Sequence, residues 1–161
     1  MLTFNAPVAV DLGSQTLELV TQEPAHTDGD VAVWLPSANV LVMGDLMTNG
    51  TYPIIDESSS GSLCGMIQAV ERLLQFVNDE TVVVPGHGPL GNRDALLGFR
   101  NMLRTIEVRI KALIASGSSV TEILAAAPTA DFDPVWGRGY VTGEIFVRMI
   151  LAGLGLTEKP R

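Results

Sequence analysis

Scarcity is the first feature of this chain: one cysteine, two histidines and few charges. With Cys64 alone no internal disulfide can form, and a single thiol says nothing about the redox compartment. Charged residues make up only 17% of the sequence, and the net charge is −8 with a pI near 4.6. A phosphate backbone would find little to hold it, so no nucleic-acid partner is expected. No apolar run reaches the ~18–20 residues that a membrane-spanning helix needs, so no membrane partner is expected either. The N-terminal Met1-Leu-Thr-Phe-Asn-Ala-Pro has neither a basic start nor a long apolar stretch. That argues against a signal peptide and makes a cytoplasmic location the expectation. Internal repeats, low-complexity tracts and linkers are also missing.

What is present is an apolar chain. Its 161 residues weigh 17.2 kDa, 47% are hydrophobic, and the mean hydropathy is +0.30. One compact domain over 1–161 fits this length, with the apolar surplus buried in a core or against a partner. The first third reads as strands. Gln15–Val20 alternates apolar and polar residues after an Asp11-Leu-Gly-Ser turn. Val31–Leu35 is a second strand. Val40–Met43 is a third, and so apolar that cover on both faces is expected. The short Pro36-Ser-Ala-Asn link between the last two predicts a hairpin.

From Thr48 to Gly61 the pattern stops, in a loop of a length usually spent on function or disorder. Ser62 then caps an expected helix running to Val77, and Thr81–Pro85 is a buried strand that enters the turn Gly86-His87-Gly88-Pro89. Arg93 to Ser116 has the stripe of a long amphipathic helix. Ser119 caps a shorter helix to Ala127, stopped by Pro128. After a loop at Asp131–Trp136, a last helix is expected from Gly143 to Leu154. Strands first, then strands alternating with helices, give an α/β (α+β) layer with a mixed or antiparallel sheet and helices on one face.

Three potential metal ligands fall at strand ends. His26, in Ala25-His26-Thr27-Asp28-Gly29-Asp30, precedes the second strand. Asp45, in Met43-Gly44-Asp45-Leu46, follows the third. His87, in Pro85-Gly86-His87-Gly88-Pro89, follows the Thr81–Val84 strand. Strand ends on neighbouring strands converge on one crevice, and glycines beside them allow sharp turns. Two imidazoles and a carboxylate suit zinc, with non-haem iron or manganese as alternatives. The plain alternative is that each histidine is a loop residue hydrogen-bonded to backbone.

His26-Thr-Asp-Gly-Asp, Met43-Gly-Asp45 and Val84-Pro-Gly-His87-Gly-Pro, in that order, resemble the second half of the metallo-β-lactamase superfamily. The resemblance runs from about Phe4 to the last helix. It implies half of a four-layer αββα sandwich, and a relation to metal-dependent hydrolases. By resemblance His26 binds a first metal, Asp45 bridges two metals and His87 binds the second. The family's H-x-H-x-D-H motif is absent, since both histidines are already assigned. The resemblance therefore implies an incomplete dinuclear site with weak or partial metal occupancy, and full hydrolysis by this chain alone is not expected. The alternative function is a non-catalytic half-domain that oligomerises.

Other residues have plainer roles beside functional ones. Asp28 and Asp30 can accept from the His26 ring or serve as ordinary turn carboxylates. Tyr52, Pro53 and Asp56 can line a substrate mouth or only shape the long loop. Cys64 reads as a packed thiol, Trp34 and Trp136 as core or interface anchors. No base lies in reach of Ser58–Ser60, which argues against a serine hydrolase. A lone half-sandwich would expose an apolar sheet face, which soluble monomers rarely tolerate. A homodimer, or a complementary half-domain chain, is therefore the expected partner, with an apolar interface of about 2,000 Å² or more in total.

Overall fold

A computed structural model describes residues 6–157. Five strands form one sheet in the order β1-β2-β3-β4-β5: β1 Val8–Asp11, β2 Thr16–Thr21, β3 Val31–Leu35, β4 Val40–Thr48 and β5 Val82–His87. The first four meander antiparallel, and β5 adds parallel to β4. A parallel neighbour needs a crossover, supplied by α1 (Leu63–Leu73). Four helices follow: α2 Arg93–Ala115, α3 Val120–Ala125, α4 Asp133–Trp136 and α5 Gly143–Gly153. The mixed sheet with helices on one side is the layer that the sequence pattern predicts.

The helix caps sit where the sequence puts them. Ser62 accepts from Gly65 N–H at the start of α1, and Ser119 and Glu122 form a reciprocal capping box on α3, satisfying donors that a helix start leaves unpaired. On α1, Leu63, Met66, Ile67, Val70 and Leu73 are buried, the i, i+3, i+4 stripe that an amphipathic helix turns inward. Position 64 falls outside that stripe, so Cys64 is exposed rather than packed. The helix also stops at Leu73, short of the expected Val77, as the chain tightens into a turn through Phe76.

Pairing across the strands sorts side chains onto two faces. Glu18, Trp34 and Leu41 stand opposite one another, as do Val20 and Ala32 on the same side. Here Val20, Ala32, Leu41, Met43 and Val83 are buried against the helical layer, with Phe99, Leu103 and Phe146 among its largest enclosed side chains. Trp34 meets Phe76 edge-on at 6.1 Å, and Trp136 leans on Phe99 at 5.7 Å, so both tryptophans anchor the core's margin.

The opposite face carries the row Val8, Leu19, Val33, Val42, Val84, each paired with the next. Val10 with Leu17, Thr21 with Val31, and Leu35 with Val40 and Val82 flank that row. None of these twelve residues is buried. The expectation that Val40–Met43 is covered on both faces therefore fails: Leu41 and Met43 are enclosed while Val40 and Val42 stay half-exposed.

Two further corrections concern elements. β1, which has no counterpart in the sequence reading, alternates half-buried valines with exposed Ala9 and Asp11 and pairs with β2 around a turn in which Gly13 has φ +83°. The segment after Asp131 contains α4, started by Pro134 in its first turn.

Candidate metal centre

The topology brings three loop and strand ends to one edge of the sheet. β3 and β4 are antiparallel, so the end of β4 lies beside the start of β3 and the His26 loop that feeds it. β5 runs parallel to β4 and finishes at the same edge, with Thr48 paired to His87. Asp45 lies inside β4 rather than beyond its end, because the strand continues to Thr48 through two irregularities in its pairing. The first is at Gly44, whose φ of +53° is costly for any residue with a β-carbon. Gly86 on β5 has the second special role. A β-carbon there would stand 2.3 Å from Asp45 Oδ1 and 2.7 Å from the Gly44 carbonyl carbon. Only glycine lets the Asp45 carboxylate rest over β5.

The carboxylate faces both imidazoles. His87 Nε2 lies 3.2 Å from Asp45 Oδ1, and His26 Nε2 lies 3.6 Å from Asp45 Oδ2. The His26 side chain is one-fifth exposed and that of His87 is 71% exposed. His26 Nδ1 is 2.8 Å from the Ile54 carbonyl oxygen. A carbonyl only accepts, so Nδ1 carries a proton, and in the neutral ring Nε2 is left as a bare lone pair aimed at Asp45. Lone pair and carboxylate repel unless a proton or another cation lies between them. Among the described residues, no three or more His, Cys, Asp or Glu side chains are gathered around a single ion position. Asp45 is the shared link, offering one oxygen to each side.

The remaining nominated residues part company here. Asp30 accepts from the backbone N–H of His26 at 2.7 Å and of Thr27 at 3.1 Å. It is a turn carboxylate that shapes the loop, while the Ile54 carbonyl orients the His26 ring. Asp28 is exposed and does not line the cavity described next. Asp56 spends its carboxylate on Ser58 and Ser59, whose donors hold it below the usual carboxylate range. It fixes a one-turn 3-10 segment, Glu57–Ser59, and does not reach the site. Tyr52 does flank the site, but it is 2% exposed and its hydroxyl donates to Asp133 at 2.8 Å. Burial and that carboxylate push the phenol above the ordinary tyrosine range.

A cavity of about 260 Å³ opens over His26, Asp45 and His87, walled by Thr48, Thr51, Tyr52, Ile54, Tyr140 and Val141. Sequence reading missed Ile54, Tyr140 and Val141, which reach the site only through tertiary packing. It missed Asn49 too, whose N–H donates to the His87 carbonyl at 2.9 Å and whose side chain donates to the Pro89 carbonyl at 3.0 Å. The Asn49-Gly50 pair announces a turn but not which loop it ties.

No established protein-family profile matches the chain. A metallo-β-lactamase type 2 of Bacillus cereus is 26% identical over 92 residues, which is 57% of this chain and 36% of that protein. A metallo-β-lactamase from Pontibacter korlensis, solved as a structure, is 29% identical with a TM-score of 0.55, covering 63% of this chain and 47% of that one. Both matches are to metallo-β-lactamases and both are partial, spanning 57% and 63% of this chain. An uncharacterised protein of Mycobacterium leprae is 35% identical over 80 residues, 49% of this chain and 36% of its own length. A double mutant of the sec-alkyl sulfatase PisA1 matches 94% of the chain and 26% of its own at a TM-score of 0.73. At 18% identity that match speaks for the fold alone. The chain spans about a third of the length of the curated relatives it matches.

Proposed function

We propose that this metallo-β-lactamase-like chain supplies part of a metal-dependent hydrolytic site, with His26 and His87 as ligands at two divalent-ion positions and Asp45 shared between them. The observation that carries this reading is the electrostatics of Asp45, whose two oxygens face two imidazole Nε2 atoms. Because the Ile54 carbonyl fixes the His26 tautomer, Nε2 is presented ready for a cation, the outer hydrogen bond that commonly orients a ligating histidine. The nitrogen and carboxylate donors suit zinc first, then iron or manganese. A bound ion of this kind supplies Lewis-acid polarisation of a substrate carbonyl or phosphoryl oxygen. The chain's own contribution is to hold the donors at one sheet edge under a small cavity partly walled by Ile54 and Val141.

The same donors limit the activity. Both histidines of the chain are in use, and a catalytic zinc centre wants three protein ligands on one ion plus an open position. Binding is therefore weak and occupancy partial, and hydrolysis needs ligands beyond those these 161 residues supply. Titration with zinc or cobalt, followed by calorimetry and absorbance, tests the reading. His87→Ala and His26→Ala should each weaken uptake by tenfold or more with unchanged circular dichroism. Uptake equal to wild type in both variants would overturn it. A second reading, a non-catalytic half-domain, is favoured by the absent H-x-H-x-D-H motif, and under it the wild-type protein takes up no stoichiometric metal.

A further inference from the structure

We infer that Asn49 is a positioning residue for the His87 donor, an inference that rests on the reading of His87 as a metal ligand. The two imidazoles reach Asp45 by different means. The His26 side chain is one-fifth exposed, and its Nδ1 is held on the Ile54 carbonyl at 2.8 Å. The His87 side chain is 71% exposed, and among the described residues the one polar contact of its ring is Asp45 Oδ1 at 3.2 Å. An exposed imidazole with a single contact keeps rotamer freedom that binding an ion must remove. Its station is therefore set by the backbone that carries it.

That backbone is gripped by Asn49. Thr48 pairs with His87 at the end of the β4–β5 ladder, and the next residue closes on the loop beyond. The Asn49 N–H donates to the His87 carbonyl at 2.9 Å, and its side-chain Nδ2 donates to the Pro89 carbonyl at 3.0 Å. Between these two acceptors Gly88 has φ +95°, and a β-carbon there would stand 2.1 Å from the Asn49 carbonyl oxygen. Glycine lets the loop lie flat against Asn49. Past Leu90 the chain returns to pair Gly91 with Val83, each N–H donating to the other's carbonyl at 2.8 and 2.9 Å. That pair closes the base of the loop, and Asn49 holds the arc above it, where His87 sits.

The side-chain amide is the part that a substitution can remove. Asn49→Ala keeps the N–H bond to His87 and loses the bond to Pro89, so the loop is held from one side of Gly88 instead of two. An outer hydrogen-bond partner of a ligating histidine is worth roughly 10–100-fold in metal affinity. Asn49 acts through main chain rather than on the ring, which puts its effect at the lower end, about tenfold. The loss falls on the Asp45–His87 position and spares the Asp45–His26 position, whose ring has its own anchor.

With two histidines in the chain, nuclear magnetic resonance reads each imidazole separately in the full 161-residue protein. Before zinc is added, relaxation at Cε1 should show a more mobile His87 ring in Asn49→Ala, with the His26 ring as ordered as in wild type. During zinc titration the midpoint of the His87 response should move to about tenfold higher zinc, while the His26 midpoint stays close to wild type. A His87 ring equally ordered in the two proteins overturns the inference, whatever the zinc result. Equal displacement of both midpoints overturns it as well, since Asn49 would then support the fold at large. If neither wild-type ring responds to zinc, the metal reading fails on its own, and the relaxation comparison still decides whether Asn49 sets His87. Should Asn49→Ala lose its native circular dichroism, Asn49→Ser takes its place with the same expectations, its hydroxyl being too short for Pro89.

Discussion

The two faces of the five-stranded sheet are almost equally apolar at β3, β4 and β5, yet they live in different surroundings. On one side Ala32, Leu41, Met43 and Val83 are all but sealed, at 0–1% exposure. One residue away along the same strands, Val33, Val42 and Val84 are half-exposed, and Val82 is 40% exposed. The sealed face mixes small and large residues against α1 and α2, as close packing demands. The open face is mostly valine, a β-branched surface of even height. An uneven surface fits one particular helical layer. An even one fits another sheet. The difference thus separates a face packed by the chain's own helices from one that the described residues leave open.

Truncation is the strongest way to break that comparison. Leu41→Ala should cost about 2–5 kcal/mol, because the packed layer cannot collapse into the hole. Val33→Ala, from a half-exposed site on the same sheet, should cost far less, because it leaves no sealed hole behind. Urea titrations read both effects. Equal losses would mean that the two faces are equally buried.

The edge where the two faces end is the next place to press. Gly86→Ala puts a methyl into the Asp45 carboxylate and against the Gly44 backbone. Flexible side chains can yield to such a contact, but the main chain of a neighbouring strand cannot. The expected cost is about 1–3 kcal/mol in stability, with zinc uptake reduced at least tenfold because Asp45 is turned off its station. Metal titration of the folded variant checks this. Unchanged uptake would show that the Asp45 position is not what the site depends on.

The layer order, the β3–β4 hairpin and the helix caps at Ser62 and Ser119 were legible in the sequence, because each follows from local pattern and side-chain hydrogen bonding. So was the gathering of His26, Asp45 and His87 at one edge, since strand direction alone fixes it. Periodicity could not say which apolar face the helices would choose, and it therefore assigned β4 cover on both sides. The sequence offered turn and site roles side by side for Asp30 and Asp56, and backbone donors two to four residues away decide for the turns. Cys64 was misplaced by a single step around a helix. Tyr140 and Val141 come to the cavity from a distant part of the chain, and no local signal marks them.

The smallest effect sharpens the comparison from the sealed side, where one polar contact ties the site loop to the helical layer. Tyr52 is stacked on Phe146 at 5.0 Å, donates to Asp133 at 2.8 Å and has its hydroxyl 3.3 Å from the Thr129 carbonyl. Tyr52→Phe keeps the stacked ring but leaves an Asp133 oxygen without its donor, at a cost of about 1–2 kcal/mol near neutral pH. The pH dependence has a definite sign. Burial and Asp133 raise the folded-state pKa of Tyr52 above its unfolded value of about 10. The folded state therefore holds the phenolic proton more tightly, and the linked stabilisation is complete below about pH 10 and lost as pH rises beyond it. Wild-type melting temperature should fall steeply above about pH 10, and in Tyr52→Phe that alkaline fall should be shallower from a lower starting point. Parallel curves for the two proteins would place the alkaline loss in other groups and reduce Tyr52 to a packing residue.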